Sequence, residues 1–207
     1  MNPSPVTEHH WTVDIAGRAV DLPLVAIKPD FAISLMMVID LGVDFLTHVG
    51  RELAARLQSH RPDVIVGAAT LGIPIAIEVS RALGLDQYVV LQKSPKIHLA
   101  DALVEPITSI TSKGEQRLLL DRRAISLLDG KRAVVVDDVV ASGSSLKGAI
   151  ALTRAAGANV VGAGVVLTEA YDWQTVLGAD AGSVVSLAHI PQFAPTSTGG
   201  WAPISGT

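Results

Sequence analysis

The sequence predicts an α/β fold, a parallel β-sheet flanked by helices. Three observations carry this. Residues 63–67, 87–91, 132–136 and 160–167 are short, largely apolar and β-branched runs, the pattern of strands buried on both faces. The first and third lead through small-residue loops into helically spaced apolar residues, so strand, loop and helix recur. The chain has 207 residues, 49% hydrophobic and only 17% charged, enough to bury one large core.

Composition also excludes function classes. A formal net charge of −4 gives no global basic surface, which argues against a dedicated nucleic-acid binder. No cysteine is present, so there is no disulfide framework and no thiolate nucleophile or metal ligand. The longest apolar stretch, residues 31–46, is interrupted by Asp40 and Asp44 and reads as an amphipathic helix rather than a membrane span. No signal-peptide pattern is visible, so a cytoplasmic location is expected.

Taken in order, residues 1–10 contain two prolines and no periodicity, and a frayed terminus is expected despite the adjacent His9 and His10. Residues 11–27 alternate about Gly17 as a hairpin. From Ser34 to Leu57 apolar residues (Leu35, Val38, Ile39, Val43, Phe45, Leu46, Val49, Leu53, Leu57) follow helical spacing, with Ser34 as N-cap. His48 and His60 read as surface or packed residues. The strand at 63–67 runs through AATLGIP into a helix at about 75–83, and the strand at 87–91 ends in Gln-Lys-Ser-Pro-Lys, which sets Lys93 and Lys96 at the carboxyl edge where α/β sheets bind ligands. Residues 97–116 show no firm periodicity and read as a mobile loop of the kind that covers active sites. A short helix at 121–128 and a turn at Asp129-Gly130 precede the third strand. Downstream come a helix at 145–156, the strand at 160–167, a last strand at 183–188, and a Pro/Gly/Ser/Thr-rich tail, mobile or packed over a pocket, with Trp201 as its anchor. His98 and His189 have no partner at a telling spacing.

The stretch that organises the rest is RAVVVDDVVASGSSLKGAI, residues 132–150. Asp137 and Asp138 stand at the end of a buried strand. Ala141, Ser142, Gly143, Ser144 and Ser145 form a turn small enough for backbone to approach a ligand, and a helix follows. Backbone N–H groups and serine hydroxyls at a helix start cradle a phosphate in the positive field of the helix dipole. Two carboxylates beside a phosphate make sense only if they face neutral hydroxyls, a metal ion, or both. A ribose 5-phosphate supplies the diol.

This block resembles the 5-phosphoribosyl-1-pyrophosphate (PRPP) motif of type I phosphoribosyltransferases: four mostly apolar residues, two acids, two apolar residues, then a small Ser/Thr/Gly loop. The resemblance spans residues 35–190 and is similar to the purine branch, adenine phosphoribosyltransferases in particular, with spacing also similar to xanthine enzymes. It implies a single domain with its core at about 34–182 and a small hood from about 11–33 and 183–207. It implies that Asp137 and Asp138 meet the ribose hydroxyls and residues 141–145 the 5-phosphate. Pyrophosphate falls to Ala69, Thr70 and Leu71, with Lys93 and Lys96 resembling the basic segment of adenine enzymes; Ala69 and Leu71 stand where those enzymes carry an acid and an arginine. Glu115 resembles a loop glutamate that faces the base, and Lys113 could equally reach pyrophosphate. Ala170 stands where xanthine enzymes carry a base-reading lysine. The implied partners are PRPP and a purine base, with no nucleic acid and no membrane. The implied cofactor is Mg²⁺ carried by PRPP rather than ligated directly by protein, and the implied assembly is a homodimer. The expected activity is transfer of 5-phosphoribosyl to adenine, for nucleotide salvage. The alternatives are transfer to xanthine or orotate, or a non-catalytic PRPP-sensing regulator on the same fold.

Overall fold

The computed structural model describes residues 9–94, 102–107 and 116–207. In chain order its first elements are β1 (His10–Ile15), β2 (Arg18–Lys28), β3 (Phe31–Ser34), α1 (Val43–Leu57), β4 (Val64–Ala68), α2 (Gly72–Leu83) and β5 (Tyr88–Leu91). A ribbon of β6 (Leu103–Ile107) and β7 (Gln116–Leu120) follows, then α3 (Ile125–Leu128), β8 (Arg132–Val140), α4 (Ser144–Ala155) and β9 (Asn159–Glu169). The last are α5 (Asp172–Leu177), β10 (Val184–Ile190), β11 (Gln192–Pro195) and β12 (Trp201–Pro203).

Five parallel strands form the centre in the order β10-β9-β8-β4-β5. The valine run of β8 explains its central place, because each successive side chain enters a different core. Ala133 and Val135 pack under α4, whereas Val134 and Val136 join α1, α2 and the hood. A fully buried valine contributes about 1.5–3 kcal/mol, so this run needs cover on both faces. The carboxyl ends of β4, β5, β8 and β9 therefore gather along one edge, where the loops after them form a site.

A second, antiparallel sheet forms the hood, in the order β1-β2-β3-β11-β12. β1 and β2 make the expected hairpin, with Ile15 paired to Arg18 and the Asp14 side chain accepting the Gly17 N–H at 2.8 Å. Val13, Ile15, Val20 and Leu22 share one core with α1 and α2, so the hood is packed on the body. Trp11 meets Phe193 edge to face at 5.3 Å, joining the two ends of the chain.

The structure departs from the sequence expectations at several places. The helix foreseen from Ser34 begins only at Val43, with Gly42 as its N-cap. Residues 31–34 instead form β3, which pairs with β2 and β11. Burial from 35 to 39 alternates, with Met36 and Val38 inside and Leu35, Met37 and Ile39 exposed, which is the period of extended chain. Sheet pairing has overridden a helical spacing. The strand at 184–190 belongs to the central sheet, so the hood's second segment starts at β11 rather than at 183. β8 runs on through the acidic pair to Val140, paired with Thr168, rather than stopping before Asp137, and the turn then begins at Ala141 as expected. α5 was not foreseen. Within 97–116, residues 103–107 are strand, paired to β7 with Leu103 opposite Leu120. Of residues 1–10, expected to fray, His10 instead opens β1 opposite Pro23, and 1–8 lie outside the described residues, as do 95–101 and 108–115, and with them Lys96, His98, Lys113 and Glu115. His48 is buried and bonded to the Ala16 carbonyl at 3.1 Å, a packed residue as expected. His189 does have partners: it stacks on Tyr171 at 4.7 Å and bonds to the Thr168 hydroxyl at 3.0 Å.

Candidate active site

β8 delivers Asp137 and Asp138 to the ligand edge of the sheet. The Asp137 Oδ1 accepts the backbone N–H of Asp138 at 3.0 Å. Burial raises the Asp137 carboxyl well above the ordinary aspartate range, the charge of Asp138 raises it further, and the Asp138 N–H and Lys93 pull it back. Burial likewise raises Asp138, with backbone hydrogen bonds and Lys93 opposing. Two acids that burial pushes toward neutrality gain most from donors or positive charge, which ribose hydroxyls and a divalent ion would supply. Their hard oxygens suit Mg²⁺ reached through PRPP. Among the described residues no cluster of three or more His, Asp or Glu side chains is placed to hold a metal on its own.

The turn beyond Val140 reverses the chain at Gly143, whose φ of +80° is the left-handed conformation that glycine adopts without strain. A Cβ there would also lie 3.0 Å from the Trp173 carbonyl oxygen, so α5 presses directly on the loop. α4 then starts at Ser144 after Gly143, which has no side chain to cap it, and the Ser144 N–H donates to the Ser142 hydroxyl at 3.4 Å. Its first N–H groups, which have no partner within the helix, are thus presented beside the Ser142, Ser144 and Ser145 hydroxyls, the arrangement that holds a phosphate.

Facing this loop is the turn from β4 into α2. The Ala69–Thr70 peptide bond is cis. The Ala69 N–H is already committed to the Leu91 carbonyl at 2.8 Å, so it is not a free donor for pyrophosphate. Leu71 packs against the core shared with α1 and α2, whereas Thr70 is exposed. Gly72 lies against the acidic pair: a Cβ at this position would come 3.0 Å from Asp137 Oδ1. Lys93, exposed just past β5, acts electrostatically on both aspartates. Of the residues expected to face pyrophosphate, Thr70 and Lys93 thus present side chains, while Ala69 and Leu71 face inward.

Between the phosphate loop and the hood lies a cavity of about 300 Å³, lined by Ile27, Phe31 and Ile33 of the hood, Ala141, Ser142 and Ser144 of the loop, Glu169 at the end of β9, Asp172 and Val176 of α5, and Gln192. Its walls are mainly apolar and its charged lining residues are both acids. Glu169 is 5% exposed, accepts a hydrogen bond from Gln192 Nε2 at 3.2 Å, and is raised by burial. Of these residues, the sequence singled out Ala141, Ser142 and Ser144, for the 5-phosphate, and none of the hood, β9 or α5 residues. Glu169 carried one signal, since like Asp137 it follows a largely apolar run. A more open cavity of about 400 Å³ sits at the other end of the sheet, beside Arg81, Asp86 and Tyr88, away from the acidic pair.

The model of the phosphoribosyl transferase domain matches residues 43–186, more than half of the chain. The chain belongs to the phosphoribosyltransferase family. Among curated relatives it is 29% identical to the xanthine phosphoribosyltransferase of Geobacillus thermodenitrificans over 146 residues, 70% of this chain and 74% of that protein. It is 30% identical to the orotate phosphoribosyltransferase of Caldanaerobacter subterraneus over 137 residues, 66% of this chain and 60% of that protein. In structure it resembles adenine phosphoribosyltransferase from Thermoanaerobacter pseudethanolicus, with a TM-score of 0.68 at 19% identity over 82% of this chain and 95% of that one. It also resembles the enzyme from Giardia lamblia solved with 9-deazaadenine, with a TM-score of 0.65 at 18% identity over 87% and 93% of the two chains. At these identities the structural likeness speaks for the fold, a parallel sheet flanked by helices beneath a hood. The sequence relatives are xanthine and orotate enzymes and the structural neighbours adenine enzymes, and the chain is similar to all of them. A phosphoribosyltransferase joins ribose phosphate to a base. Among the described residues no helix is long and apolar enough to cross a membrane.

Proposed function

We propose that this phosphoribosyltransferase transfers the 5-phosphoribosyl group of PRPP to a purine base, adenine, in nucleotide salvage. The observation that carries the reading is the hood cavity itself, which adjoins the phosphate loop and has apolar walls and no lysine or arginine among its described lining residues. In this reading a flat, neutral purine lies against the apolar lining of Phe31, Ile33 and Val176. Orotate would bring a carboxylate toward Glu169 and Asp172 without a cation to meet it. Xanthine would lack the base-reading lysine, because position 170 is alanine.

In this reading Asp137 and Asp138 accept hydrogen bonds from the two ribose hydroxyls, and Ser142, Ser144, Ser145 and the backbone of 141–145 hold the 5-phosphate. Thr70 and Lys93 face the pyrophosphate, and the roles of Lys96 toward pyrophosphate and of Glu115 toward the base, both outside the described residues, belong to the same proposal. The bond from ribose C1 to the pyrophosphate oxygen breaks, the bond from C1 to a purine nitrogen forms, and the proton on that nitrogen is lost. Positive charge develops on the ribose ring meanwhile, and the neighbouring carboxylates stabilise it. Magnesium carried by PRPP would supply charge neutralisation on the departing pyrophosphate. The hood excludes water that would otherwise hydrolyse the donor. A homodimer in the cytoplasm, with no nucleic-acid or membrane partner, belongs to the same proposal.

Calorimetric titration of PRPP with Mg²⁺, followed by addition of base, tests this reading. PRPP binding followed by pyrophosphate release supports it. Binding without release for any base, accompanied by salt-sensitive binding of nucleic acid, would favour the PRPP-sensing regulator instead.

A further inference from the structure

The polar pair in the hood cavity has no part in holding the donor. Glu169 and Gln192 are 23 residues apart in sequence and meet because β10 lies beside β9 with Ile190 opposite Glu169, which brings Gln192 just past that strand end. A carboxylate has about four lone-pair positions, so the single Gln192 amide bond at 3.2 Å leaves acceptor capacity pointed at the cavity it lines. The body of the side chain is held. Glu169 stands 5% exposed at a strand terminus, and the backbone of Gln192 is fixed on both sides, its N–H donating to the Thr207 hydroxyl at 3.0 Å and its carbonyl accepting from Ile204 N–H at 2.8 Å. An acceptor that is buried, preorganised and only partly satisfied asks for a ligand with N–H groups.

We infer that Glu169, oriented by Gln192, reads the acceptor base, selecting a neutral heterocycle whose exposed edge carries an amino donor over one that carries a carbonyl or a carboxylate. This rests on the phosphoribosyltransferase reading above and names the specificity group within it. Adenine offers its 6-amino group to the carboxylate. Hypoxanthine is nearly the same shape but presents a carbonyl oxygen at that position, which sets acceptor against acceptor. Sites built to receive a hydrogen bond reject analogues that cannot make it far more strongly than apolar pockets reject an extra methylene. Gln192 is a positioning residue here, since it acts through the carboxylate it holds.

The test is Glu169→Gln, nearly isosteric, whose amide can donate to a carbonyl as well as accept from an amine. In the wild type, adenine is preferred to hypoxanthine in kcat/KM, and orotate is not used. In Glu169→Gln the adenine-to-hypoxanthine ratio falls by about 10- to 100-fold while the KM for PRPP stays within about twofold, as expected for a charge-assisted bond made to base alone. Gln192→Ala shifts the ratio in the same direction by less. Calorimetric binding of adenine in the presence of ribose 5-phosphate gives a readout independent of turnover and is weakened by the same substitution. An equal loss for both bases with the ratio unchanged would show a merely structural role and overturn the inference, as would wild-type preference for xanthine or orotate, with phosphoribosyl transfer itself still standing. Wild-type protein that neither binds nor converts any base would overturn both.

Discussion

Asp137 turns its Oδ1 back onto the Asp138 N–H at 3.0 Å, so the two carboxylates of the pair are not equivalent. Asp137 accepts this N–H and lies against Gly72, while the Asp138 carboxyl is held by backbone hydrogen bonds at Val139 and at its own N–H. Asp138→Asn is expected to raise the KM for PRPP by about 10- to 100-fold, the worth of a charge-assisted hydrogen bond, with little loss of fold. Asp137→Asn keeps an acceptor for the Asp138 N–H but removes a charge that burial disfavours, so its Tm should equal or exceed that of the wild type even as PRPP binding falls. Calorimetric titration of PRPP and thermal melts of both variants check this. Unchanged PRPP affinity in Asp138→Asn would contradict the diol role.

The raised acids set opposite pH trends for stability and activity. Their pKa values in the folded protein lie above the ordinary aspartate value, so the folded state gains protons relative to the unfolded one. The pair's favourable contribution to stability is fully present below the unfolded pKa and is lost as pH rises through the raised values. Activity runs the other way, because the ribose hydroxyls need ionised acceptors. The acid limb of kcat/KM for PRPP should thus have its midpoint above the ordinary aspartate value of about 3.9. Lys93 lowers both aspartates, so Lys93→Gln should move that limb to higher pH and weaken PRPP binding, and Lys93→Arg should restore much of both. A limb that does not move in Lys93→Gln would separate this lysine from the acidic pair.

Close backbone approaches make two glycines costly to replace. A Cβ at Gly72 would sit 3.0 Å from Asp137 Oδ1 and 3.1 Å from the Val136 carbonyl oxygen. At Gly143 a Cβ would meet the Trp173 carbonyl at 3.0 Å in a backbone with φ of +80°. Gly72→Ala and Gly143→Ala should each lose about 1–3 kcal/mol in urea unfolding, the usual penalty of overpacking. Gly72→Ala should also raise the KM for PRPP by displacing Asp137. Equal stability to the wild type would show that these turns have room to relax.

How far the sequence revealed this depends on whether a feature is local. β8, the acidic pair and the phosphate loop lie in one continuous stretch, and a strand buried on both faces declares itself by its unbroken valines. The parallel order of β4, β8 and β9 followed from recurring strand, loop and helix. Residues 31–39 misled because apolar residues at helical spacing also fit an extended chain alternating in burial, and only pairing with β2 and β11 decides between them. Glu169 and Gln192 were hidden for another reason: their contact depends on the register of β10 beside β9, Ile190 opposite Glu169, which no spacing records. Ala69 and Leu71 were assigned through their backbone amides by position in the loop; the Leu91 carbonyl takes the Ala69 N–H, and the Leu71 side chain packs on the core, which leaves its assignment to the backbone alone.

The most direct measurement is product identification with wild-type protein, PRPP, Mg²⁺ and each of adenine, hypoxanthine, guanine, xanthine and orotate, following nucleotide and pyrophosphate together. The account predicts AMP and pyrophosphate in equal amounts, with adenine the preferred base and no orotidine nucleotide. Absence of nucleotide with all five bases would contradict it.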